Sequence, residues 1–438
     1  MLLKGSTNNY ECKFRVRHSQ IMGARNVFYA IFFKKLKYLF GIKIAIDFVL
    51  SEIDSNFVYK TNSMDNPFSL TPYAGKELFC DRESELKTLL EIVTNGANAT
   101  LISPRRMGKT GLIYRLFDEI SSQKLNIDTV YVDIYATQTV DDFIKVFSER
   151  VIGLFIKKTS LLKKTLGVFS GVKPVLSFDE LTGNPQLSLT YNSKEEKLTT
   201  LRRIFDFLES HNRKVVVAFD EFQQIREYGE VNMEAELRTY IQPLQNVRFI
   251  FCGSKKHLMT DIFANARNPF YASTRYLYLN KIDGDKYADF ITRLFAENGK
   301  TIDSEAVAFI LNFTKRHTFY TQSLCNFIFQ HSKKRVNLQF AKEEAAQLLK
   351  QNENVYLQYR SLLTIQQWNY LKALAKEGSV SQPMSGNFVE KHSIGTPANS
   401  QRLLSALIDK DLILDDTTID RTTYSVYDVF LSKWLENV

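Results

Sequence analysis

Between Asp81 and Lys281 the chain alternates two hydrophobic rhythms. DRESELKTLLEIVTNG, from Asp81, places Leu86, Leu89, Leu90 and Val93 at the helical period and predicts a helix. ATLISP follows as a short strand, then a turn, then the helical stretch GLIYRLFDEISSQ. TVYVDIYA, from Thr129, alternates and is rich in β-branched and aromatic residues, which predicts a second strand. KVVVAFDEF, from Lys214, is a third, with the continuous apolar run of a strand buried on both faces of a parallel sheet. RFIFCGS from Arg248 and RYLYLN from Arg275 supply a fourth and a fifth. Helical stretches lie between most of these strands, so the pattern predicts an α/β fold with a doubly wound parallel sheet.

After Lys281 the strands stop and the pattern turns helical, through DKYADFITRLFAENG, DSEAVAFILNFT and FYTQSLCNFIFQHS, as expected of a helical lid. From Thr364 the order is helix (QQWNYLKALAKEG), short helix (near NFVEKH), helix (NSQRLLSALIDKDLI) and a β-ribbon (LILDDTTIDRTTYSVYD). That order is the order of a winged helix. The expected organisation is a core over 64–280, a lid over 281–355 and a winged helix over 356–438, preceded by an extension over 1–63. No internal repeat or low-complexity tract interrupts it.

A chain of 438 residues is long enough for two or three domains, each with its own core. The net charge of +9 is unevenly spread: residues 1–63 hold ten Lys/Arg against four acids, so the body is nearly neutral and carries no broad nucleic-acid-binding charge. The same opening segment includes VFYAIFFKKLKYLFGIKIAIDFVL, from Val27, interrupted by Lys34, Lys35, Lys37 and Lys43. A spanning helix needs about 20 mostly apolar residues, so stable membrane insertion is not expected. Two readings remain for it: a basic membrane-surface segment, or upstream sequence preceding a true start at Met64, the second being preferred. The four cysteines, Cys12, Cys80, Cys252 and Cys325, are scattered without metal-ligand spacing, which fits reduced thiols in a cytoplasmic protein.

The candidate chemistry begins at the turn after the first strand. Ser103, Pro104, Arg105, Arg106, Met107, Gly108, Lys109 and Thr110 match the phosphate-loop pattern GxxxxGK(S/T) with Ser in place of the first Gly, and Gly111 completes the expected nucleotide-binding set. In such a loop backbone N–H groups cradle phosphates, Lys reaches the outer phosphates and Ser/Thr binds magnesium. The third strand delivers Asp220 and Glu221 to its carboxyl end, beside that loop in a doubly wound sheet. Buried carboxylates need a cation; Asp220 is expected to hold magnesium with Thr110, and Glu221 to polarise the attacking water. Ser254, ending the fourth strand, is read either as a sensor of the γ-phosphate or attacking water, or as an ordinary Gly-Ser turn. Arg267 and Arg275 flank NPFYAST and are read either as arginine fingers toward a neighbour's nucleotide or as surface-loop caps, the latter preferred.

DRESEL, SPRRMGKT, VVVAFDEFQ, FIFCGS, RNPFYAST, KRHTFYTQ and VYDVFLSKWL, in this order over residues 64–438, make the chain resemble the archaeal-type ATPases, a family of AAA+-related, STAND-like P-loop NTPases. The resemblance implies an ASCE-type core, a helical lid and a C-terminal winged helix, with Lys109 and Thr110 at the phosphates and magnesium and Asp220 and Glu221 as the acidic pair. Relatives often carry Gly at the position of Ser103, and a His-Pro pair where this chain has His317-Thr318. The function expected is a slow, magnesium-dependent ATPase acting as a switch or remodeller in regulation or defence, with an unidentified protein partner and a possible homo-oligomer. The alternatives are a nucleotide-controlled DNA-binding regulator, and a protein-interaction scaffold with weak or no hydrolysis. DNA binding is not favoured, because Arg402 and Lys410 in the third winged-helix segment are balanced by Asp409 and Asp411.

Overall fold

The fold is described from a computed structural model, which describes residues 66–156, 175–178, 185–188, 190–191, 193–417 and 421–438. Met64, Cys12 and the basic opening segment lie outside the described residues.

The first body is a five-stranded sheet in the order β2-β5-β6-β1-β7, with β1 Ala99–Ile102, β2 Ile127–Asp133, β5 Lys214–Asp220, β6 Val247–Gly253 and β7 Arg275–Tyr278. Every pairing is parallel, and Asp133 pairs with Asp220 while Ile102 pairs with Gly253, so four strands end along one edge. The predicted doubly wound parallel sheet is therefore present. Residues alternate across β5: Val215, Val217 and Phe219 pack into one core, Val216 and Ala218 into another. The first core receives α3 (Val140–Ile156) and α4 (Lys194–Glu209) through Phe143, Phe147, Leu201 and Phe205. The second receives α1 (Glu83–Thr94) and α2 (Lys109–Ser122) through Leu89, Leu112, Ile113 and Leu116. Burial on both faces explains the unbroken apolar run in that strand. Behind β5 follow a 3₁₀ turn, Phe222–Glu227, and α5 (Met233–Ile241), and α6 (Lys256–Ala264) follows β6. A hairpin, β3 Val175–Phe178 with β4 Pro185–Ser188, is an element the sequence reading did not contain.

The lid comprises α7 (Gly284–Glu297), α8 (Ser304–Phe313), α9 (Thr318–His331) and α10 (Leu338–Gln351). One correction to its all-helical expectation is a two-residue parallel pair, β8 Thr301–Ile302 with β9 Arg335–Val336. Then come α11 (Glu353–Leu362), α12 (Ile365–Glu377), α13 (Gly386–Lys391), α14 (Pro397–Asp409) and the antiparallel ribbon β10 Ile413–Thr417 with β11 Thr422–Val426. A last helix, α15 (Val429–Leu435), returns to the lid. There Phe430 meets Tyr320 of α9 at 4.9 Å between ring centroids, and Trp434 meets Tyr356 of α11 at 5.4 Å. A single apolar core runs through lid and winged helix alike. Cys80, Cys252 and Cys325 are buried free thiols. Among the described residues no helix is long and apolar enough to cross a membrane.

Candidate functional site

The turn after β1 coils tightly: Arg106 (φ 62°) and Gly108 (φ 100°) both take left-handed backbone, and α2 starts at Lys109 with no side chain capping its first amides. Those amides and the helix dipole make the start of α2 attractive to an anion. Lys109 is 5% exposed, and its Nζ donates to the carbonyls of Ser103 at 2.8 Å and Pro104 at 3.1 Å. Burial lowers the Lys109 pKa, while the nearby Glu221 and Asp220 carboxylates work against that shift. Thr110 Oγ1 donates to Asp220 Oδ2 at 2.7 Å, and Tyr131 Oη donates to the same oxygen at 2.7 Å. Burial, with Asp220 beside it, pushes the Tyr131 pKa well up, so this phenol stays a donor. Glu221 stands next to Asp220 in left-handed backbone (φ 54°); its Oε2 accepts from Gln223 Nε2 at 2.5 Å and from Ser254 Oγ at 2.6 Å.

These groups meet in a cleft of about 560 Å³, lined by Arg105, Arg106, Gly108, Lys109, Thr110 and Gly111, by Asp220 and Glu221, and by Tyr131, Asp133 and Tyr135 of the β2 end. Its other wall comes from the strap Ser69–Pro72 and from Thr318, Phe319 and Gln322 of α9. An adjoining pocket of about 80 Å³ has Pro72, Leu78, Phe79, Met107 and Ile282 in its wall, with the guanidinium of buried Arg82 beside them. Arg82 binds Glu85 at 2.8 Å through Nη1 and leaves Nη2 without a partner.

The expected residues divide by where they point. Arg105, Arg106, Gly108 to Gly111, Asp220 and Glu221 come together in the cleft, and Met107 faces the adjoining pocket. Ser103, Pro104 and Ser254 instead line a separate groove of about 270 Å³ beneath the winged helix. Ser254 reaches the cleft indirectly, through its bond to Glu221. Arg267 and Arg275 are exposed and line no part of the cleft; Arg275 pairs with Ala99 at the opposite end of the sheet. His317 is buried with Nδ1 unpartnered, and burial, aided by the positive charge of Lys281, pushes its pKa down to about 4. Tyr131, Gln223 and the strap were missed by the sequence reading. Tyr131 could be found only by knowing that β2 neighbours β5, which a hydrophobic rhythm does not encode.

The donor set at the floor, a hydroxyl and a carboxylate, suits a hard cation such as magnesium, which takes oxygen ligands. Among the described residues there is no cluster of three or more His, Cys, Asp or Glu that could hold a metal ion.

A parallel sheet with a phosphate-loop turn after β1 and an acidic pair closing β5 defines a P-loop ATPase-type domain. Residues 79–316 match the family described as an ATPase domain predominantly from Archaea, and residues 354–437 match a probable winged helix domain. The chain belongs to that ATPase family. In fold it is similar to the Walker-type ATPase PABY2304 of Pyrococcus abyssi, with 20% identity, TM-score 0.58, and coverage of 84% of this chain and 99% of that one. It is also similar to the Aeropyrum pernix ORC2 protein in its ADPNP-ADP complexes, with 14% identity, TM-score 0.51, and coverage of 85% and 96%. Among curated proteins none matches this sequence.

Proposed function

We propose that this chain binds ATP with magnesium in the 560 Å³ cleft and hydrolyses it slowly, using the cycle as a conformational switch. The observation that carries the reading is the convergence of Lys109, the Thr110–Asp220 pair and Glu221 on one cleft behind an uncapped helix start. In this reading the phosphates lie against the amides of Gly108 to Gly111, and Lys109 exchanges its two loop carbonyls for phosphate oxygens. Thr110 and Asp220 would hold the magnesium, which supplies positive charge at the outer phosphates when bound. Glu221 orients a water for attack on the γ-phosphate and takes its proton. The adenine ring is assigned to the adjoining pocket, walled by Pro72, Leu78, Phe79, Met107 and Ile282. A homologous fold is known in ADPNP-ADP complexes, which supports a nucleotide in this cleft.

The winged helix serves as the output module and contacts a protein partner in this proposal. DNA reading is less well supported, because Arg402 and Lys410 in and just after α14 are offset by Asp409 and Asp411. Use of Arg267 or Arg275 in a homo-oligomer remains a proposal that a sizing column and the two alanine variants would test.

The deciding experiment measures ATP binding and turnover for wild type, Lys109→Ala and Glu221→Gln. Wild type is expected to turn over, Lys109→Ala to lose binding, and Glu221→Gln to bind without turnover. A Glu221→Gln protein as fast as wild type removes Glu221 from the chemistry; a wild type that binds no nucleotide overturns the reading.

A further inference from the structure

Gly253 ends β6 without a left-handed φ, so backbone freedom does not explain a glycine there. Space does. A Cβ at this position would lie 2.5 Å from Gln223 Oε1, 2.3 Å from Met259 Sδ and 2.4 Å from Met259 Cγ. The missing side chain lets the Gln223 amide sit against the strand, and that amide is buried with Oε1 lacking any partner. An unpaired buried carbonyl is unfavourable, so the arrangement needs a return elsewhere. Gln223 does not line the cleft. Its other end does something specific: Nε2 donates to Glu221 Oε2, the oxygen that Ser254 Oγ also holds.

The geometry points to Gln223, seated by Gly253, as a positioning residue that acts with Ser254 to aim the Glu221 carboxylate at the attacking water. This rests on the hydrolytic reading above. Two fixed donors on Oε2 lock the carboxylate about its last torsion, and no hydrogen bond engages Oε1 among the described residues, which leaves it for the water. Glu221 needs this support because it starts a 3₁₀ turn in left-handed backbone, where its own main chain does not fix the side chain. Misplacing a reacting group by about 1 Å can cost on the order of a hundredfold in rate.

The test compares Gln223→Leu, Gly253→Ala, their double variant and Gly253→Ala/Met259→Ala in the full chain. Each single variant is expected to lower kcat about 10- to 100-fold while KM and the Kd for ATP stay within about twofold, because neither side chain meets nucleotide. The Gln223→Leu/Gly253→Ala double variant should be no slower than the worse single one. Removing the Met259 side chain should not rescue Gly253→Ala, since the clash with Gln223 persists. Unchanged kcat in Gln223→Leu, an additive double variant, or rescue by Met259→Ala overturns the proposal. Glu221→Gln separates the two ideas: if it is inactive while Gln223→Leu is not, Glu221 keeps its role and Gln223 loses its own. A crystal structure of Gly253→Ala gives a readout that needs no turnover, with Glu221 expected to leave Ser254. An unmoved carboxylate there refutes the positioning role.

Discussion

His317 is followed by Thr318 where the resemblance leads one to expect proline, and its surroundings say what it does at neutral pH. Its pKa is pushed down to about 4 from an ordinary 6.5, by burial first and by the charge of Lys281 second. It is therefore neutral at pH 7 and offers no positive charge to a nucleotide. A histidine depressed in the folded state takes up protons more readily when unfolded, so its contribution is full above about pH 6.5 and is lost as pH falls toward 4. The shift corresponds to roughly 3 kcal/mol at most across that window. We expect the urea-unfolding free energy of wild type to fall more steeply between about pH 7 and pH 5 than that of His317→Gln. Parallel profiles would show that His317 does not contribute to the acid sensitivity. Ser103 is the other departure, and here the substitution is mild. Its backbone φ is not left-handed and its carbonyl accepts from Lys109, a service that serine performs as well as glycine.

At the scale of elements, the cleft depends on contacts between segments far apart in sequence. The strap before α1 is pinned by Asn66 Nδ2 donating to the Asn326 carbonyl and Asn326 Nδ2 donating to the Phe68 carbonyl, both at 2.7 Å, with Phe68 buried among Phe295 and Phe329. It then passes so close to α2 that a Cβ on Gly111 would lie 2.5 Å from the Pro72 carbonyl and 3.1 Å from the Phe79 ring. A backbone atom has little room to yield, so Gly111→Ala is expected to destabilise the chain by about 1–3 kcal/mol and to weaken ATP binding, as calorimetry on the two proteins would show. Gly111 was read from sequence as part of the phosphate cradle; its packing against the strap adds a constraint that no loop motif contains. The strands were legible because two-sided burial writes itself as VVVAF and FIFC, and the phosphate turn because its chemistry demands Gly108-Lys109-Thr110. The hairpin β3–β4 was not, and neither was the β8–β9 pair, whose two-residue strands leave almost no periodic trace. Tyr131 and Gln223 escaped for a different reason: each acquires its partner only once strand order and the turn after β5 are known.

For the whole molecule, the two seams of the winged helix differ in kind, and that difference says where motion belongs. Toward the lid the seam is apolar: Phe313 and Tyr320 pack on Phe430, while Lys315 Nζ donates to the Gly378 carbonyl at 3.1 Å. Toward the core it is polar, a groove with Lys255, Lys256 and His257 on one side and Asp409, Asp411, Asp415 and Asp416 on the other, plus an Arg105–Asp411 ion pair at 3.6 Å. With its partners 33% and 50% exposed, that pair is worth well under about 1 kcal/mol, so separating it costs little. The phosphate loop touches the lid as well as the winged helix: Phe319 N donates to the Arg106 carbonyl at 3.2 Å and Thr318 Oγ1 to the Met107 carbonyl at 3.1 Å, beside the Arg105–Asp411 pair. In the proposed switch, a loop rearranged around phosphates moves lid and winged helix together, as one body against the core. The expected result is that spin labels on α10 and α14 keep their separation between nucleotide-free and ATP-bound Glu221→Gln protein, while labels on α6 and α14 change theirs. Movement between α10 and α14 would place the hinge inside the apolar core instead, and constant distances in both pairs would rule out this switch.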